Sequence, residues 1–162
     1  MQDLRVSAKN EGEALWFLDT LMQVKLPANE TGGAFSVLEQ TAPPGSATPM
    51  HRHDNTDEYF YLLDGSVTFY TETTSKRCTA GTFVAVPKGR VHAFRVDSGV
   101  PARMLVMSSP AHFEHFVKAV SRPASTPSLP PASPPPAPEA VEQLVAIGAQ
   151  HDTIILGPPP VT

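Results

Sequence analysis

The sequence predicts an all-β fold, an antiparallel sandwich or barrel, with short helices only towards its C-terminal end. Two observations carry that prediction. Between residues 34 and 108, short apolar or alternating runs follow one another closely, separated by turn dipeptides and with no helical pattern between them. Apolar residues at three- and four-residue steps first appear after Pro110.

Residues 14–26 are crowded with apolar side chains and close on the turn chemistry of Pro27, Asn29, Gly32 and Gly33, which reads as one strand. Residues 1–33 therefore supply N-terminal strand structure. In residues 34–41, Phe35 and Val37 alternate with Ser36, Leu38 and Gln40 until Pro43-Pro44-Gly45 ends the run. Further strands are expected at 59–63, 67–73, 83–86, 93–96 and 103–107. Turns at Asp64-Gly65, Thr74-Ser75, Lys88-Gly89 and Ser98-Gly99 separate them, so that residues 34–109 form the barrel core. Phe113, Phe116, Val117 and Val120 mark a short amphipathic helix within residues 110–120. Residues 121–138 hold eight prolines and must run extended as a linker. Residues 139–150 are helical again, with Val141, Leu144 and Val145 on one face and glutamates opposing the dipole in the first turn. The apolar run 153–156 then stops at Pro158. Residues 139–162 are thus a C-terminal helix and a tail expected to dock on the barrel or on a second subunit.

A chain of 162 residues suits one main domain with modest extensions. Net charge is −4 and no run of lysines or arginines offers the stripe that a phosphate backbone requires, which argues against nucleic acid as a partner. Cys78 is the single cysteine, in keeping with a reducing, cytoplasmic setting. The sequence shows no leader pattern and no apolar stretch of bilayer length, so a membrane partner is not expected. Open barrel edges favour a homodimer.

His51, His53, Glu58 and His92 form the most complete set of metal donors in the sequence. Residues two apart on a strand share a face, so His51 and His53 can point inward together. Glu58 lies five positions after His53, an odd step, and the intervening Asp54-Asn55-Thr56-Asp57 is turn sequence able to reset the parity. Asp54 and Asp57 themselves read as turn formers. His92 follows the turn Pro87-Lys88-Gly89-Arg90. Three imidazoles and a carboxylate suit one divalent transition metal, whether iron, nickel, manganese, cobalt, copper or zinc, with one or two positions left open. His112 and His115 read as exposed or lid residues and His151 as a helix-cap residue. Trp16 and Tyr59 read as packing residues, and Arg5, Arg52, Arg95 and Arg103 as surface arginines.

The stretch G-SATPM-H-R-H-DNTD-E-YFYLLD-G resembles the first cupin motif at Gly45, His51, His53, Glu58 and Gly65, and G-TFVAV-P-K-G-RV-H resembles the second through His92. Val96 stands where the second motif usually ends in Asn, a departure that touches no metal ligand. The resemblance implies a single-domain cupin, a jelly-roll or double-stranded β-helix barrel, with its metal on the four residues named. The flanking residues from 12 to 118 also resemble quercetin 2,3-dioxygenase-type proteins.

Counting by twos from Glu58 places Phe60 and Leu62 on its face, and from His92 places Phe94 and Val96. With Phe35 and Val37 from a neighbouring strand, and Phe113 and Phe116 capping the mouth, these form the expected substrate pocket. Each also suits plain core packing. Such walls favour a small aromatic or apolar substrate. The resemblance implies ring-opening oxidation of a flavonol or related enol-containing aromatic by dioxygen with loss of carbon monoxide, Glu58 taking the substrate's proton. Cupin isomerases, decarboxylases and hydrolases, and a metal-dependent binding module without turnover, are the alternatives.

Overall fold

A computed structural model describes residues 4–134 and 136–161. The chain begins with strands β1 (Glu13–Phe17) and β2 (Thr20–Leu26), so the single strand expected over 14–26 is a hairpin. Leu18 enters the left-handed region (φ 55°) at its tip, and the Thr20 hydroxyl donates to the Phe17 carbonyl. Strands β3 (Ser36–Ala42), β4 (Met50–Arg52), β5 (Asp57–Asp64), β6 (Ser66–Tyr70), β7 (Ser75–Thr79), β8 (Phe83–Val86), β9 (Ala93–Val96) and β10 (Ala102–Ser109) follow. Helix α1 (His112–Val120), a short β11 (Arg122–Pro123), helix α2 (Pro138–Gln150) and β12 (Ile154–Gly157) complete the order.

The strands build two walls of a jelly roll. One is an antiparallel sheet in the order β11-β1-β2-β3-β10-β5-β8. Facing it are the β7-β6-β9 sheet and the β12-β4 pair, joined by bridges between Ala47 and Arg95 and between His51 and His92. Leu38 on β3 lies opposite Val106 on β10, which lies opposite Phe60 on β5, and all three side chains are buried. Burying them and Leu62, Val67, Phe69, Phe94, Val96 and Met104 between the walls supplies the main hydrophobic drive for the fold.

This register corrects the parity expected for β3. Ser36, Leu38, Gln40 and Ala42 face inward, and Val37 lies on the outer face with Phe35 just before the strand. Strand β7 also lies beyond what patterning reveals, since only its Cys78 is buried. A polar edge strand of this kind has little alternation to read.

Helix α1 lays Phe113, Phe116 and Val117 on the barrel. On α2 the packed face is the half-buried Leu144 and Ile147 with the buried Gly148, whereas Val141 and Val145, expected on the packed face, are exposed. The proline-rich segment starts on the surface by pairing with β1. There the Arg122 guanidinium sits 4.6 Å from the Trp16 ring centroid, and the indole N–H donates to the Ser128 carbonyl. The tail returns as β12 and pairs with β4, which meets the docking expectation on the barrel itself. Among the described residues no helix is long and apolar enough to cross a membrane.

Candidate metal centre

His51 is the middle residue of β4, between Ile155 of β12 and the His92 bridge. The His51 and His92 peptides exchange both hydrogen bonds, at 3.0 and 2.8 Å, so their side chains leave one wall as close neighbours. His53 follows two residues on. The 54–57 turn then carries the chain across to the facing sheet, where Glu58 sits in β5 between Ser108 and Val86. The odd spacing from His53 to Glu58 is thus resolved at the intervening turn, which carries the chain to the other wall.

The four side chains are buried, and one donor atom from each lies within 4.8 Å of all the others. Ring centroids of His51 and His92 are 4.3 Å apart, and those of His51 and His53 5.1 Å. Each imidazole has a main-chain carbonyl at its Nδ1: Pro49 for His51 (2.8 Å), Asp152 for His53 (2.8 Å) and Arg90 for His92 (3.0 Å). A carbonyl only accepts, so each Nδ1 carries a proton and the Nε2 atoms are the ones turned to the cluster, that of His92 lying 3.0 Å from Glu58 Oε2. The Nε2 of His53 is fully buried without a hydrogen-bond partner, its nearest carboxylate oxygen, on Glu58, being 3.4 Å away. An orphaned buried nitrogen beside two imidazoles and a carboxylate is the donor arrangement a divalent transition metal fits.

Electrostatics favour a neutral His51 and an ionised Glu58, and pull the other way at His53. Burial, with His92 and His53 alongside, pushes His51 down to about 3, so it stays a neutral ligand at physiological pH. Burial would raise the Glu58 pKa, but His53 and His92 override it and hold the carboxyl well below the usual range. For His53 burial opposes the charged form, yet Glu58 and the Asp152 contacts raise its pKa.

The donor cluster opens into a cavity with His51 and Glu58 in its lining. Phe60 and Phe94 line it from the sheets, and Phe113 and Phe116 line it from α1. Phe35, Val37, Leu62 and Val96 do not line it. Phe35 and Val37 fall away from the interior by the β3 register, while Leu62 and Val96 pack in the closed part of the core. Sequence reading missed Phe17 and Leu18, from the unrecognised hairpin, and Gln40, from the other parity of β3. It also missed Leu144, Thr153 and Ile155, brought in by the C-terminal segment. Phe17 meets the α1 rings edge-on, with centroids 6.2 Å from Phe113 and 5.6 Å from Phe116.

His112 and His115 do not act as a pair. His115 is exposed, and His112 contacts the Thr56 hydroxyl, whose proton goes to Asp152. His151 is the C-cap residue of α2. Arg5, Arg52 and Arg103 pair with Glu30, Asp54 and Glu39, and none of the four surface arginines lines the cavity.

The model of the cupin domain matches residues 38–108. A quercetin 2,3-dioxygenase from Bacillus subtilis (strain 168) is 30% identical over 118 residues, covering 73% of this chain and 35% of that protein, so the chain spans about a third of its curated relative's length. Among solved structures, one described as a predicted oxalate decarboxylase from Thermotoga maritima is similar with a TM-score of 0.58 and 18% identity, over 67% of this chain and 99% of that one. An RmlC-like cupin from Shewanella frigidimarina gives 0.56 and 16%, over 71% and 99%. The two structures speak for the fold alone. With its facing sheets and its buried three-histidine, one-glutamate cluster, the chain has the cupin fold and carries a cupin domain over residues 38–108, and it resembles quercetin 2,3-dioxygenase-type proteins.

Proposed function

We propose that this chain is a metal-dependent dioxygenase that opens a flavonol or a related enol-containing aromatic with dioxygen. The observation that carries the reading is the convergence of His51, His53, Glu58 and His92 beside a cavity walled by phenylalanines. The dioxygenase relative supports it. A divalent ion held there supplies Lewis acidity and, with Glu58 the sole anion among four donors, one uncompensated positive charge.

The protein's own groups do the rest. A low-dielectric chamber favours overall neutrality, which selects a monoanionic ligand such as an enolate. Phe60 and Phe94 offer flat apolar faces that orient an aromatic ring, and Phe113 and Phe116 exclude water from the mouth. Glu58 is the base within reach of a hydroxyl proton on a ligand bound at the cluster. The three histidines, locked by their Nδ1 bonds, hold geometry and give up no proton.

The test is metal analysis of protein purified without added ions, followed by oxygen uptake and carbon monoxide release with flavonols. The expected outcome is one equivalent of metal, lost in H51A, with turnover that falls about a hundredfold or more in E58Q. Tight flavonol binding with no oxygen consumption would instead make the chain a binding module.

A further inference from the structure

Helix α2 ends in a motif that calls for glycine and has aspartate. The Thr153 N–H donates to the Gly148 carbonyl across the helix end, and Asp152 between them adopts φ 59°. That left-handed position is usually taken by Gly, which has no Cβ to strain. An aspartate there gives up helix-cap stability unless its side chain is used.

It is used, on the loop that carries the metal donors. Asp152 Oδ1 accepts from the Asp54 N–H at 3.1 Å and from the Asn55 side-chain amide at 3.0 Å, while Oδ2 accepts from the Asn55 N–H at 3.0 Å and the Thr56 hydroxyl at 2.6 Å. Its main-chain carbonyl takes the Nδ1 proton of His53, 99 residues away in sequence. A single residue thus grips residues 53–56, the stretch between two donors of the cluster.

We propose that Asp152 is a positioning residue of the metal centre, through which the C-terminal segment sets the tautomer of His53 and the path of the 54–57 loop. This rests on the reading of the cluster as a metal site. If Nδ1 lost its carbonyl, the Thr153 hydroxyl at 3.5 Å would be left facing it, and Nε2, where the Glu58 carboxylate at 3.4 Å accepts, would become the better seat for the proton. That tautomer has no lone pair to offer an ion. By linkage, an ion that binds only the Nε2-free form also favours the docked C-terminal segment.

Cobalt(II) binding to the full chain tests this, read by calorimetry, by visible absorption and by the rise in unfolding temperature on adding the ion. D152G keeps the left-handed position and loses the carboxylate, whereas D152N tolerates that position and keeps an acceptor. The expected result is a 10- to 100-fold weaker cobalt affinity and a smaller cobalt-induced thermal shift in D152G, with α2 helicity intact and D152N closer to wild type. In wild type, cobalt is expected to slow amide hydrogen exchange across residues 150–156, and D152G to lose that protection. Equal cobalt affinity in wild type and D152G overturns the proposal. So does a loss of affinity that accompanies melting of α2, or that D152N shares in full, since either marks a purely structural role. Failure of wild type itself to bind cobalt more tightly than H51A would instead overturn the reading of the site.

Discussion

Gly148→Ala sets two effects of similar size against each other. Alanine in a helix is favoured over glycine by about 1 kcal/mol, which would make the substitution stabilising if nothing stood near. An added Cβ, however, would lie 2.8 Å from the Thr153 carbonyl oxygen and 3.5 Å from the Phe116 ring. Relieving the first contact means moving Thr153 by about half an ångström, the gap to ordinary van der Waals distance. The obstructing atom is main chain, and its residue is tied back to Gly148 by the Thr153 N–H, so it gives less readily than a side-chain tip. Overpacking of this kind costs about 1–3 kcal/mol. The balance is a net loss of about 1 kcal/mol, or about 2–4 °C in the unfolding temperature of a chain this size. The displaced segment includes Thr153 in the cavity lining and adjoins the Asp152 carbonyl on His53, so cobalt affinity should fall as well. Reversible thermal unfolding with parallel cobalt titration measures both. An unfolding temperature that rises by the full helix-propensity gain would refute the close approach of α2 to Thr153.

Gly65→Ala should be more severe, because φ is +77° and the new Cβ would stand 2.8 Å from the Ala102 Cα; left-handed strain and overpacking together predict a loss of about 2–5 kcal/mol, and an unchanged urea midpoint would contradict it. At Asp97, burial acts to raise the pKa, but hydrogen bonds from Ser66, Thr68 and Arg77 win and lower it in the folded state. Its stabilisation is therefore present above the unfolded value of about 3.8 and lost as pH falls through the folded one. The stability difference between wild type and D97N, measured by urea unfolding at pH 6 and pH 3, should shrink on acidification. A difference of constant size would count against the hydrogen-bonded carboxylate.

The donors were legible because they are local. The His51–His53 alternation, the turn before Glu58 and the turn before His92 each lie within a few residues, and strands β8 and β9 fall where their apolar runs lie. Face assignment is a different matter, since β3 carries apolar residues on both sides. Val37 shares the outer face with Met107 and Tyr59, so alternation alone does not say whether Val37 or Leu38 is inside. Register decides it, through Leu38 opposite Val106 and Phe60, and register is a property of three strands far apart in sequence. Leu62 and Val96 show a related limit. Counting by twos selected the inner face correctly, but the inner face of a barrel has a closed, packed region as well as a chamber.

The C-terminal segment was half legible for a thermodynamic reason. Its apolar run announces burial, but nothing local names the partner, because β4 is only three residues long and polar at Arg52 and His51. Distance along the chain is a weak obstacle to that pairing, since loop-closure entropy grows only with the logarithm of length. The prolines between α1 and α2 act in the same direction. Each restricts φ in the unfolded chain as much as in the folded one, so ordering the linker removes less freedom than ordering a glycine- or serine-rich tether would. A segment with no helical or strand pattern of its own therefore lowers the entropic barrier to bringing Asp152 and Ile155 onto the strand that carries His51 and the turn that follows His53.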